Sequence, residues 1–269
     1  MDLFNGLAMK NPEGVHVDGS GNIYVADTGN NRVVIFDSDH NFVQELGLGP
    51  GQPVLIAPRD VAVDDSGDIY VASSGGNRVV VFDSSYEFVA NMSPTGKTLS
   101  SPSGIAAGAG FIIVTSTGNN SVFAFDTRRV FLLDLSTLGS QFNAPWGVTI
   151  DSEGNTIVVD SGSLRMFTFD STLEPTVTWG GSGSGDGRFR TPFGVATDGF
   201  GNIFVVDRGK NQVQVFEPGV VRPEFVGRWG TLGIGKGQFL SPIGIATDSA
   251  GLVYVVDRAS SSLKIFRHK

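Results

Sequence analysis

An all-β fold, a six-bladed β-propeller of four-stranded antiparallel blades closed by an N-terminal strand, is predicted by three observations on the 269-residue sequence. The first is a tandem unit that starts near residues 12, 58, 102, 145, 192 and 242, each time at a proline. Fixed periods of this length mark repeat architectures in which one unit is one supersecondary motif. The second is that the short β-rich runs are apolar at consecutive positions rather than alternate ones, as in strands buried on both faces. The third is that the sixth unit stops after its third strand, with only Arg267, His268 and Lys269 following Phe266, while residues 1–10 precede the first unit. An N-terminal strand completing the last blade would close the ring and remove its sheet edges. The whole chain, 1–269, is thus read as a single domain.

The elements follow in the order they occur. The cleanest unit runs Asn11-Pro-Glu-Gly-Val-His-Val-Asp18, then Gly21-Asn-Ile-Tyr-Val-Ala-Asp27, then Asn31-Arg-Val-Val-Ile-Phe-Asp37. Strand a follows the proline. An Asp-x-x-Gly turn follows, in which Gly supplies a positive φ and Asp bonds local amides. Strand b is read at Ile23–Ala26, Ile69–Ala72, Ile112–Thr115, Ile157–Val159, Ile203–Val206 and Val253–Val256. Strand c ends in Phe36, Phe82, Phe125, Phe169, Phe216 and Phe266. Strand d is less regular: Phe42–Leu46, Phe88–Met92, Val130–Leu135, Val177–Trp179 and Phe225–Trp229. The middle of strand a is small in five units (Ala62, Ala106, Thr149, Ala196, Ala246) and His16 in the first, as inner strands crowded round one axis require.

Composition agrees and narrows the function. Hydrophobic residues make up 40%, enough for a large core, and charged residues only 17%, which excludes long charged helices. There is no cysteine, so disulfides, thiolate metal sites and cysteine nucleophiles are excluded, and either cytoplasm or secretion remains compatible. No apolar run is long enough for a membrane span, and the first residues do not read as a signal peptide. The net charge is −8. Residues 1–134 hold 7 basic and 15 acidic side chains, and residues 135–269 hold 12 of each. A dominant nucleic-acid surface is therefore disfavoured, while a local basic patch remains open.

Pro-x-Gly-Val/Ile, Asp-x-x-Gly-Asn-Ile-Tyr/Phe-Val and Asp-x-x-Asn-x-Arg-Val, ending in Phe, resemble the NHL repeat across the whole chain. Trp179-Gly-Gly-Ser-Gly-Ser-Gly-Asp-Gly-Arg-Phe189 and Trp229-Gly-Thr-Leu-Gly-Ile-Gly-Lys-Gly-Gln-Phe239 add to it, each preceding a repeat proline. The resemblance implies the six-bladed propeller. It also implies a choice of functions, since such propellers include RNA- or protein-binding modules of ubiquitin ligases, receptor-kinase sensor domains and a metal-dependent amidating lyase. The third unit departs most, with Gly108 and Ser116 where others mostly carry Asp and Ser121 where Arg32 and Arg78 sit.

Propeller sites gather at one mouth of the axial channel, on the d–a and b–c connections. The residue after each repeat proline is expected at that rim: Glu13, Arg59, Ser103, Trp146, Phe193 and Ile243. Trp146 and Phe193 are read as binding anchors, with Glu13, Arg59 and Asp60 as polar contacts. Arg208, Lys210 and Arg258, in the b–c connections of units five and six, add a local basic surface. The alternative for each rim residue is filler packed on the next blade. The carboxylates ending strand b (Asp27, Asp160, Asp207, Asp257) are read as each ordering its own b–c loop. His16 is read as a polar core residue, because three scattered histidines do not make a zinc site of the lyase kind. Gly181-Ser-Gly-Ser-Gly185 lies in a glycine linker and is no nucleophile elbow.

The expectation is a non-catalytic recognition module, a monomeric domain that holds a protein or peptide at the mouth, with no catalytic residue, cofactor or metal. An RNA-binding module like that of tripartite-motif NHL proteins is the alternative. A metal-dependent lyase or hydrolase working in the channel is the second.

Overall fold

The computed structural model describes residues 7–49 and 51–267. Five four-stranded antiparallel sheets and one three-stranded sheet stand around an axis. Blade 1 is Val15–Val17, Ile23–Asp27, Arg32–Phe36 and Phe42–Leu46, paired in sequence order as strands a to d. The inner strands of the next five blades are Pro58–Val63, Pro102–Gly108, Pro145–Ile150, Pro192–Thr197 and Pro242–Thr247. Each inner strand contacts the next, and the sixth contacts the first, so the ring is closed. The only helical pieces among the described residues are single 3-10 turns.

Blade 6 has three described strands, ending at Ser262–Arg267. The N-terminal closing strand expected from the sequence falls on residues 1–10, of which 1–6 lie outside the described residues. Residues 7–10 are not a strand. They nevertheless occupy the last seam: Met9 is buried among Val34 and Phe36 of blade 1 and Val256 and Leu263 of blade 6, with Leu7 packed alongside.

The core is divided into six wedges, one per seam between neighbouring blades. Each wedge takes one apolar side chain from the connection that enters the next blade. These are Met9, Leu55, Leu99, Phe142, Phe189 and Phe239, each three residues before a repeat proline. Strand b of every blade and strand c of blades 1, 2, 3 and 5 are buried on both faces because each face meets a different blade, which explains their apolar runs; strand c of blades 4 and 6 is partly exposed.

The turns far from the mouth are built from one device. In blade 1 the Asp18 carbonyl accepts from Gly21 N–H at 2.9 Å, and its Oδ1 accepts from the amides of Ser20 and Asn22 at 2.8 and 2.9 Å. Gly21 adopts φ +83°, which a side chain would resist. The same carboxylate ties the turn to strand b, because Tyr24 Oη donates to Asp18 Oδ2 at 3.0 Å. Tyr70 and Tyr254 do the same to Asp64 and Asp248 at 2.8 and 2.9 Å. Burial and the adjoining carboxylate push all three phenols up. Tyr254→Phe is expected to lower stability by about 1 kcal/mol, the worth of one such hydrogen bond. Urea unfolding checks it, and an unchanged midpoint would show that the hydroxyl adds nothing.

At the other end, asparagines join the blades. Asn31, Asn77 and Asn120 take left-handed φ after the 3-10 turn, and their Oδ1 atoms accept from Ala57, Ser101 and Ala144 N–H of the following blade at 2.7–2.8 Å. The carboxylates ending strand b act differently from the reading that each orders its own b–c loop. They chiefly hold the connection that enters their blade. Asp207 accepts from Arg190 and Thr191 N–H, Asp257 from Leu240 and Ser241, Asp160 from Asn143 and Asp27 from Lys10, all at 2.7–3.0 Å. Asp27 also ties its own loop, through Asn30 Nδ2 and Arg32 Nε at 2.8 Å each, and Ser163 and Ser260 bond back to Asp160 and Asp257 from theirs.

Candidate functional site

The axial channel holds a cavity of about 190 Å³ lined by the inner strands, including His16, Asp60, Ala106, Thr149, Ala196 and Ala246. Five of the six repeat prolines are followed two residues later by glycine, and in blade 2 that place is taken by Asp60. A carboxyl therefore stands in the channel wall where every other blade has only backbone. Asp60 Oδ1 accepts from Val61 N–H at 3.0 Å and Oδ2 from Ile105 N–H of blade 3 at 3.1 Å. Burial outweighs these bonds and, helped by the charge of Glu13, raises its pKa to about 7. His16 faces the same cavity beside Tyr24, ring centroids 6.1 Å apart, and burial pulls its pKa down to about 4. It is therefore neutral near pH 7.

At the mouth the ring brings together residues that are remote in sequence. Blade 6 adjoins blade 1, so Arg258 and Arg59 flank Glu13. Arg258 Nε lies 3.4 Å from Glu13 Oε1 and Arg59 Nε 3.5 Å from Oε2. Glu13 is only 4% exposed, and its Oε2 makes no hydrogen bond. Burial raises its pKa, while Arg59, Arg258 and Arg208 oppose the rise in that order. Arg59 Nη1 also donates to Ser103 Oγ at 2.9 Å. Arg208 lies over the Phe193 ring, its guanidinium carbon 5.5 Å from the centroid. Phe193 in turn meets Trp146 edge to face at 5.0 Å.

Thus seven of the eight expected site residues meet at one end of the channel: Glu13, Arg59, Asp60, Trp146, Phe193, Arg208 and Arg258. Lys210 turns elsewhere. Its Nζ donates to the carbonyls of Ser184, Gly185 and Arg188, fastening the glycine-rich connection of blade 4 to blade 5. Of the six rim positions, Glu13, Ser103, Trp146 and Ile243 are buried and only Arg59 and Phe193 are half-exposed. Trp146, 8% exposed, backs Phe193 rather than standing at the surface.

The connections on this face carry exposed apolar side chains that the sequence reading did not single out. Val54 and Ile56 stand out between blades 1 and 2, and Leu232, Ile234 and Leu240 between blades 5 and 6. Charge is sorted by face. Among the described residues, the mouth-side connections and the strand ends and side chains bonded to them hold 14 basic and 9 acidic residues, a balance of +5. The opposite turns hold 4 basic and 17 acidic residues, a balance of −13. The cause is local: the far turns are closed by Asp accepting backbone amides, in nine cases with the geometry of Asp18.

Among the described residues no three His, Asp or Glu side chains converge as a metal-binding set, and no helix is long and apolar enough to cross a membrane.

Comparison with known proteins bears on the fold. The family model described as NHL repeat matches residues 9–36, 55–82 and 239–266, which are blades 1, 2 and 6 from the seam residue to the end of strand c. No curated protein sequence matches the chain. Among solved structures, a protein of unknown function from Bacteroides thetaiotaomicron superposes with a TM-score of 0.75 at 15% identity, over 99% of this chain and 71% of that one. Kuenenia stuttgartiensis hydrazine synthase gives 0.66 at 14%, over 98% of both chains. Virginiamycin B lyase from Staphylococcus aureus gives 0.65 at 13%, over 100% and 98%. At such identities these likenesses concern the fold. The chain is a six-bladed β-propeller whose blades 1, 2 and 6 match the NHL repeat.

Proposed function

We propose that this propeller is a recognition module, one monomeric domain that works by binding and holds a protein or peptide segment at its mouth. One observation carries the reading. The mouth combines a central group of half-exposed arginines with exposed apolar side chains on the surrounding connections. Arginine and large apolar groups at the centre of a concave surface are what protein interfaces use for affinity. Among the described residues the guanidinium of Arg208 makes no side-chain hydrogen bond; it lies over the Phe193 ring and acts on Glu13 through charge. Two enzymes share the fold at 13–14% identity. Sites are grafted on folds, so this likeness assigns no reaction.

Selecting binders from a displayed library of random short peptides tests the proposal. The selected peptides should lose at least about tenfold in affinity on Arg59→Ala with Phe193→Ala, the loss of two anchors at about 1 kcal/mol or more each. Peptides that bind this double variant within twofold of the parent chain would move the binding face elsewhere.

A further inference from the structure

We infer that the mouth selects an acidic peptide segment, seating a carboxylate of the partner among Arg59, Arg208 and Arg258. The inference rests on the reading that the mouth binds a peptide and names the chemistry of that peptide.

Three guanidiniums face one internal carboxylate. Glu13 approaches the Nε atoms of Arg59 and Arg258 at 3.5 and 3.4 Å, and its Oε2 has no hydrogen-bond partner among the described residues. Among the described residues no side-chain hydrogen bond engages the Arg208 or Arg258 guanidinium, and Arg59 spends Nη1 on Ser103 Oγ. A planar fork with open donors is the group that takes carboxylates bidentately. Glu13 cancels one charge of the three at most.

The whole-molecule field acts in the same direction. The chain carries −8 overall, yet among the described residues its mouth side balances at +5 and its far side at −13. An acidic segment is repelled from one face and drawn to the other, so charge orients the encounter as well as stabilising the contact.

A single-stranded RNA would also answer to positive charge, but it calls for aromatic faces on which bases can stack. Here Trp146 is buried, and the face of Phe193 is covered by Arg208. The arginines converge on Glu13 instead of tracking a strand. Exposed Val54, Ile56, Leu232, Ile234 and Leu240 suit the apolar side chains that flank an acidic residue in a peptide.

The test uses three labelled probes on the full chain: acetyl-Leu-Glu-Glu-Leu-amide, its Gln-Gln counterpart and octauridylate. Fluorescence anisotropy at low salt should show the Glu peptide bound at least about tenfold more tightly than the Gln peptide, with the preference shrinking as salt is raised. Arg208→Gln and Arg258→Gln should each weaken the Glu peptide about tenfold, the worth of one charge-assisted contact. Arg222→Gln makes the same change of net charge on the far face and should shift affinity less than twofold. Glu13→Gln removes the internal competitor at constant shape and should strengthen the Glu peptide severalfold, an effect that a merely structural Glu13 would not produce. Circular dichroism establishes that each variant is folded.

Equal binding of the Glu and Gln peptides, both weakened by the mouth variants, would overturn the acidic preference and leave the peptide-binding reading in place. Octauridylate bound in preference to both peptides, with loss on Arg208→Gln and Arg258→Gln, would overturn both in favour of RNA. If neither peptide binds, the acidic preference falls, and the displayed-library selection decides the fate of the wider reading separately.

Discussion

Gly104→Ala is expected to cost about 3 kcal/mol or more of unfolding free energy, the upper part of the range for forcing atoms into a packed site. Gly104 is one of five glycines in the inner ring. At Gly14, Gly104, Gly147, Gly194 and Gly244 a Cβ would press into the carbonyl oxygen of the neighbouring blade, respectively that of Arg59, Trp146, Phe193, Ile243 and Glu13. These are backbone atoms, so no rotamer change relieves them. At Gly104 the added carbon would also lie 3.1 Å from Thr115 Oγ1. That hydroxyl donates to the Trp146 carbonyl at 2.6 Å and accepts from Gly104 N–H at 2.7 Å, bridging blades 3 and 4. In a closed ring a displacement at one seam must be absorbed by the others. The control is Gly199→Ala, at a far turn where a Cβ meets nothing within 4 Å, and which should stay within about 0.5 kcal/mol. Urea unfolding of the two variants decides the matter; a Gly104→Ala chain within about 1 kcal/mol of the parent would mean that the inner strands are looser than their contacts imply.

The repeat made the fold legible, because proline, Asp-x-x-Gly and the terminal Phe each have a fixed local job. Strand d of blades 1 and 2 falls where the sequence places it, at Phe42–Leu46 and Phe88–Met92. What a linear reading misses is set by contacts between blades. Met9, Leu55, Leu99, Phe142, Phe189 and Phe239 share one phase of the repeat, but their common role shows only once the seams exist. Sequence proximity assigns the strand-b carboxylates to their own loops, whereas their shortest bonds to backbone are to amides 16–17 residues earlier. The rim position varies in chemistry, and variation read as display. In four of six blades the convergence of inner strands packs it away, while Arg59 and Phe193 remain accessible. Charge was counted by halves of the chain, yet strands reverse every few residues, so adjacent stretches of one half lie on opposite faces. Counting charge by repeat phase would have separated the acidic turns from the basic mouth. The grouping of Arg59 with Arg208 and Arg258 was legible from loop position. The placing of Glu13 between Arg59 and Arg258 required the ring to close.

Asp60→Asn should stabilise the protein increasingly as the pH rises, by about 2–3 kcal/mol at pH 8 relative to pH 4, from the linkage between a buried group's pKa and folding. In the unfolded chain the carboxyl titrates near its ordinary value of 3.8; in the folded protein burial in the channel wall and the neighbouring Glu13 charge carry it to about 7. Below pH 4 both states hold the proton and the group contributes no difference. Between pH 4 and 7 the unfolded chain gives up the proton first, so it is the unfolded state that gains, and above pH 7 the folded protein carries a buried anion at full cost. A displacement of that size corresponds to at most about 4 kcal/mol, and water in the channel screens part of it. Asparagine keeps an acceptor for Ile105 or Val61 N–H and cannot ionise, so its difference from the parent chain isolates this one group. His16 acts in the opposite sense and in both proteins alike: its folded pKa near 4 against an ordinary 6.5 means that stability is lost as the pH falls through that interval. The parent chain should therefore be most stable near the middle of the range, and the variant's optimum should move to higher pH. Urea midpoints for both proteins at four or five pH values supply the comparison, and a difference that stays flat from pH 4.5 to 8 would show that Asp60 is ionised and well solvated in the folded channel, leaving no physical reason for blade 2 to differ from its five glycine-bearing neighbours.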